Sequence, residues 1–215
     1  MTGSLKMARL DCYTAKSQFK SYLVLAAIAI YFAATGSSIV TLCITCSWFM
    51  ALIASNLFVI QEKNGLDRLY FSLSIRSNDI VLGRYAFIFL SHILSVVLLI
   101  VVYSMYALIS SAGLTLQDVL SGFCISFLAF SIIAGIQIPI YFKMGYAKGK
   151  FWSMIPFIAV MGLMVIPTFV EALSGIVDVL ISNRGILAVG SLLASCVVLL
   201  ISYHAAVILY RKKRV

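Results

Sequence analysis

Apolar and polar positions alternate along this chain in long blocks rather than in the short periods of a soluble fold. Six apolar blocks stand out, over about Lys20 to Thr35, Ile39 to Ile60, Gly83 to Ile109, Asp118 to Phe142, Phe151 to Ala172 and Gly185 to Tyr210. Several exceed the roughly 18 to 20 consecutive apolar residues that cross a bilayer core, so the pattern predicts an all-α membrane protein with six transmembrane helices. A very short turn at Gly36 to Ser38 separates the first two spans, and short segments at Ser110 to Gln117 and Leu173 to Arg184 separate the third from the fourth and the fifth from the sixth. Each half holds three spans with a polar loop after its second, at 61–85 and at 143–150, without a residue-level repeat.

The longest polar interruption, QEKNGLDRLYFSLSIRSNDIVLGRY, runs from Gln61 to Tyr85. It holds Glu62, Asp67 and Asp79, three of the seven acidic residues. Leu66, Leu69, Tyr70 and Leu73 fall at i, i+3, i+4 and i+7, one face of a short amphipathic helix. Gly65 is a break before it and Ser74 to Asn78 a turn after it. Ser77 is a candidate N-cap for the next helix, and Asp79 a favourable charge in its first turn. The pattern has two readings, a docking helix for a soluble partner or an interfacial helix resting on lipid headgroups. A second amphipathic pattern covers residues 1–19, where Lys6, Arg9, Tyr13 and Lys16, continued by Lys20, form a basic stripe beside Leu5, Ala8, Cys12, Ala15 and Phe19. It predicts a helix in the headgroup plane with its cations toward anionic lipid.

Composition narrows this to one polytopic domain, residues 1–215. The 215 residues are 63% hydrophobic and 11% charged, with a mean hydropathy of +1.10. The net charge of +9 invites a nucleic-acid partner. The placement of the charges excludes it, because the basic residues flank apolar segments and form no patch interleaved with aromatics. With six spans, both termini and the loops at 61–85 and 143–150 share one side, and that side collects fifteen of the sixteen basic residues, all but Arg184. This asymmetry predicts a cytoplasmic location for that side. The basic N-terminal stretch is followed by no small-residue cleavage site, so no cleaved signal is expected.

The residues that carry chemistry elsewhere are sparse. The nearest approach to a phosphate loop, Gly145-Tyr-Ala-Lys-Gly149-Lys150, is one residue short between its glycines and is followed by Phe151 instead of Ser or Thr. Any ATP hydrolysis therefore belongs to another chain, and with it ATP and magnesium. His92 and His204 are the two histidines, too few for a metal site. Cys43 and Cys46 have redox-pair spacing, but no second pair follows and their flanks are apolar, so they read as packing residues. Glu171 lies near a span, at its end, and no Asp, Lys or Arg falls near mid-membrane. Proton- and cation-coupled carriers keep ionisable groups along their path, so the uncharged spans argue against ion coupling and suit an external motor. Pro139, Pro156 and Pro167 mark kinks in or at the ends of the fourth and fifth spans.

The glutamate and lysine after a membrane helix, the Leu-rich turn and SIRSNDIVLGRY resemble the ABC-2 family of transporter permeases, in particular the small six-helix permeases of bacterial exporters. PIYFKMGYAKGK, from Pro139 to Lys150, is similar to the second cytoplasmic turn of that family. The resemblance implies a non-enzymatic subunit in the bacterial plasma membrane, with both termini cytoplasmic. It implies pairing with a second permease copy or a paralogue, docking of separate ABC ATPase subunits, and export of an amphipathic or apolar substrate such as a peptide. It assigns motor coupling to a short helix in the loop at 61–82, with Glu62, Lys63, Leu66, Asp67, Leu69, Tyr70 and Arg76. Further contacts fall at Lys143, Gly145, Tyr146 and Lys148, and the N-terminal helix joins the ATPase surface to the first span. The alternative is a non-transporting membrane immunity or assembly protein that uses the same loop for docking.

Overall fold

Long runs of Leu, Ile, Val, Ala and Phe have no polar side chains to satisfy a backbone in lipid, so the backbone must satisfy itself, and the helix does this within one segment. The computed structural model describes residues 19–66, 70, 76–110, 114–169 and 184–214. Its elements are α1 (Phe19–Ala34), α2 (Ile39–Lys63), α3 (Ser77–Ser110), α4 (Leu116–Gly149), a 3-10 turn (Trp152–Met154), α5 (Ile155–Phe169) and α6 (Arg184–Arg214). No strand occurs among the described residues. Four segments, Ile39–Lys63, Ser77–Leu108, Leu116–Gly149 and Leu187–Lys213, are long and apolar enough to cross a membrane. The other two predicted spans fall on α1, of 16 residues, and α5, of 15 residues. Each borders residues outside the described set, α1 before Phe19 and α5 after Phe169. The N-terminal amphipathic stretch, most of the expected helix at 66–73 and the segment at 173–183 lie outside the described residues.

Helix α4 is the axis of the bundle, packed along α2 on one side and α6 on the other. Helix α3 lies against α2 and α6, α1 against α3 and α2, and α5 against α4. Small residues make the two main seams possible, as expected where lipid supplies no hydrophobic drive to bring helices together. On the α2 side, Ser47 Oγ lies 2.7 Å from Ser126 Oγ, and Cys43, Cys46 and Cys124 are buried packing residues. On the α6 side Gly135 is the point of closest approach, where a Cβ would sit 3.1 Å from Val198 Cγ1 and 3.6 Å from Ser202 Cβ.

The same seam resolves a backbone problem. Pro139 lies inside α4 and has no N–H to offer the carbonyl four residues earlier, that of Gly135. Ser202 Oγ donates to that carbonyl at 2.6 Å. Its proton being committed there, Ser202 accepts from Tyr85 Oη at 2.5 Å. One hydroxyl thus joins α3, α4 and α6 at the place where the proline opens the helix.

Two boundaries differ from the hydropathy reading. Helix α3 starts at Ser77, six residues before the apolar run, because the Arg76 carbonyl accepts from the Asp79 and Ile80 N–H groups and Asp79 sits in the first turn. The expected turn at 143–150 is instead a helical elbow, in which α4 continues to Gly149 across one non-helical residue, Gly145.

The seam at Gly135 gives the first prediction. Gly135→Leu forces α4 and α6 apart and costs about 1–3 kcal/mol, seen as a lower thermal midpoint in detergent. Gly122→Ala, where the added Cβ meets Cys43 Sγ at an ordinary 3.4 Å, leaves the midpoint within about 2 °C of wild type.

Candidate functional site

The elbow begins with a deficit. Gly145 adopts φ 75° and ψ 175°, so the N–H groups that follow it lose their helical acceptors, as at any helix start. The Glu62 carboxylate, from the last turn of α2, fills the gap. Its Oε2 accepts from the Tyr146 N–H at 2.5 Å and from the Ala147 N–H at 3.1 Å. An anion at the positive end of a helical turn is favoured. Helical bonding then resumes, with the Lys150 N–H reaching the Tyr146 carbonyl at 2.9 Å. Glycine is required at 145 twice over, for the positive φ and because a Cβ there would lie 3.1 Å from Glu62 Oε2.

Beneath this contact lies an aromatic floor. Phe58 packs on Tyr141 with centroids 5.0 Å apart and edge-on to Phe142 at 5.4 Å. Tyr141 meets Tyr146 at 5.6 Å, and Phe142 meets Tyr210 of α6 at 5.1 Å. Arg84, only 2% exposed, lies over the Phe58 ring at 5.1 Å and donates to Gln61 Oε1 at 2.7 Å. Tyr141 Oη donates to Ser153 Oγ at 2.7 Å, and Gln137 Nε2 donates to the Ser153 carbonyl at 3.1 Å, which anchors the turn leading into α5. Arg211 of α6 donates to Asn78 Oδ1 at the start of α3 at 3.0 Å. The four long helices are therefore stitched together at one end. A cavity of about 200 Å³ remains there, lined by Phe58, Gln61, Glu62, Tyr141, Met144, Gly145, Tyr146 and Lys213.

The two loop motifs, more than 80 residues apart in sequence, meet at Glu62 and Tyr146. Lys63, Arg76, Lys143 and Lys148 are exposed at this end, and Gly145 and Tyr146 are half-buried. Leu66 packs against the core. Tyr70 is 1% exposed, so it holds the loop to the bundle instead of presenting a surface. Asp67 and Leu69 lie outside the described residues. In the sequence Arg84 reads as one of the loop cations, with no role of its own. Its signal was register, since a helix begun at Ser77 carries Arg84 two turns inward, between the buried Val81 and Ile88. No group of three or more potential metal ligands occurs among the described residues. His92 stacks on Phe130 at 3.9 Å, and His204 Nδ1 lies 2.8 Å from the Leu200 carbonyl.

The arrangement predicts a graded mutational response. Glu62→Ala exposes two N–H groups and costs about 1 kcal/mol, which speeds tryptic cleavage at Lys143 and Lys148 in detergent. Glu62→Gln keeps an acceptor and falls between Glu62→Ala and wild type. Gly145→Ala adds strain at positive φ and displaces the carboxylate, so its cleavage is at least as fast as that of Glu62→Ala.

A family model described as "ABC-2 family transporter protein" matches residues 6–211, nearly the whole chain and both loop motifs. Comparison with curated proteins and with solved structures gave no match. The chain belongs to the ABC-2 family of transporter membrane proteins.

Proposed function

We propose that this chain is the membrane subunit of an ATP-driven bacterial exporter and that the end stitched by Glu62 is where a separate ATPase docks. Family membership implies association with an ABC ATPase, and a permease of this family is a membrane transport component, normally non-catalytic. In this reading six helices span the plasma membrane, α1 and α5 included, with both termini on the cytoplasmic side. ATP and magnesium are held by the partner. The substrate is amphipathic or apolar, such as a peptide, in keeping with spans that carry little charge. Two copies, or this chain and a paralogue, form the pathway.

The observation that carries the proposal is the contact of Glu62 with the elbow. An ATPase pressing on the loop at 61–82 moves the end of α2, and the carboxylate passes that displacement to α4, the axis of the bundle. Lys63, Arg76, Lys143 and Lys148 supply the exposed contact surface, and Asp67 and Leu69 are further proposed contacts. Leu66 and Tyr70 fix the loop to the core, so a push on its outer face is not absorbed locally. Motor closure then biases a two-state dimer between inward and outward openings.

The test is reconstitution with the candidate ATPase. The ATPase co-purifies with wild type and with Glu62→Ala. In the Glu62→Ala variant ATP hydrolysis continues while transport of the amphipathic substrate falls about tenfold, the equivalent of 1.4 kcal/mol in coupling. Replacing Lys143 and Lys148 with Glu weakens ATPase binding itself. If no ATPase associates under any nucleotide condition, the proposal fails and a non-transporting immunity or scaffold role takes its place.

A further inference from the structure

Beside the Gly135 seam, between α4 and α6, lies a groove of about 440 Å³. Ile132, Ile136 and Pro139 form its α4 wall, and Val198, Ile201 and Ala205 its α6 wall. Ile136 is 42% and Ile201 66% exposed, so among the described residues the groove opens outward. Each wall continues in register toward a cation. Ile132, Ile136, Pro139 and Lys143 fall at i, i+4, i+7 and i+11 on one stripe of α4. Val198, Ile201, Ala205 and Lys212 fall at i, i+3, i+7 and i+14 on one stripe of α6. The two helices run in the same direction, since Gly135 meets Ser202 and, further along both, Phe142 meets Tyr210. Both walls therefore end in an exposed lysine at the basic end. From Ile132 to Lys143 is about 16 Å, the depth of one leaflet of a hydrocarbon core of about 30 Å.

The groove has no hydrogen bond to offer an occupant. The Ser202 hydroxyl that lines it donates to the Gly135 carbonyl and accepts from Tyr85. A peptide backbone seated there would go unsatisfied, whereas an acyl chain has nothing to satisfy. Lys143 and Lys212 favour a negative charge at the mouth of the groove. The Glu62 carboxylate at this end does not compete for them, being held by the Tyr146 and Ala147 N–H groups. We propose that the α4–α6 groove is a binding site for an anionic phospholipid, with one acyl chain laid between the two walls and the phosphate on Lys143 and Lys212. The site requires only that the bundle spans a membrane, and it does not rest on the docking of an ATPase.

The test places the full chain in mixed vesicles of phosphatidylglycerol and phosphatidylcholine, one of them with brominated acyl chains that quench tryptophan. In a Trp48→Phe, Trp152→Phe background, Ile201→Trp reports on the groove, and Leu90→Trp, at a position 65% exposed on α3, reports on an ordinary apolar surface. At equal mole fraction phosphatidylglycerol is favoured over phosphatidylcholine at Ile201→Trp by about fivefold or more, the scale of a lysine near a membrane surface. At Leu90→Trp the two lipids quench alike. Adding Lys212→Gln lowers the preference at Ile201→Trp by about threefold or more. Without the tryptophan substitutions, native mass spectrometry of the detergent-purified chain shows phosphatidylglycerol retained over phosphatidylcholine, and Lys143→Gln with Lys212→Gln loses that preference. The proposal is overturned if the two lipids quench Ile201→Trp alike, or if Leu90→Trp shows the same preference, which would make it a property of the basic surface at large. It is also overturned if neither lipid quenches Ile201→Trp, which would put protein in the groove. Lys212 lies outside the proposed docking surface, so the two readings fail separately. An ATPase that stays bound while the lipid preference is missing removes only the lipid site, and absence of an ATPase from wild type removes only the docking reading.

Discussion

Gly145 leaves two backbone N–H groups without acceptors at the end of the central helix, and the Glu62 carboxylate is what satisfies them. The arrangement of the basic end depends on this contact. It sets the separation of α2 and α4, and the separation sets the space in which Phe58 meets Tyr141 and Phe142. It also brings Gln61, the neighbour of Glu62, within reach of the buried Arg84. A guanidinium beneath the surface is tolerable there because an amide oxygen and an aromatic face receive it. Removing the carboxylate would loosen the elbow and relax the geometry on which the arginine relies.

The same accounting recurs deeper in the bundle. Pro139 frees the Gly135 carbonyl, and Ser202 answers it with Tyr85 behind. In both places a residue that interrupts α4 is compensated by a side chain from a neighbouring helix, Glu62 from α2 or Ser202 from α6. Helix α4 is therefore interrupted where other helices can hold it. A bundle built this way can move its elements as connected pieces, because each break carries a cross-link to a neighbour. Displacement of one polar loop is not a local event when its glutamate is bonded to the backbone of the other.

Much of this was legible in the sequence at the level of blocks. Apolar run length located the four long helices and the turn at Gly36, and the polar character of 61–85 and 143–150 picked out the two stretches that meet. What run length could not show was how the backbone is satisfied. Run length alone places the third span near Gly83, whereas the capping signal read at Ser77 and Asp79 marks the start of the helix, which begins at Ser77 with Asp79 in its first turn. The stretch at 143–150 reads as a turn because it is rich in Gly and Lys, whereas a carboxylate 84 residues away keeps it helical. Arg84 reads as a loop cation for the same reason, and only the true start of α3 turns it inward. Tyr70 shares a helical face with Leu66 in the sequence, and periodicity alone does not say whether that face meets a partner or, as Tyr70 does, the core.

The central claim, that a carboxylate of the first loop holds the backbone of the second, is tested most directly by amide hydrogen exchange at Tyr146 and Ala147. In wild type these two amides are protected, and in Glu62→Ala they exchange about tenfold faster, corresponding to roughly 1.4 kcal/mol of local stability, while buried amides of α4 around Ile133 are unchanged. Protection at Tyr146 and Ala147 that is the same with and without the carboxylate would contradict the account.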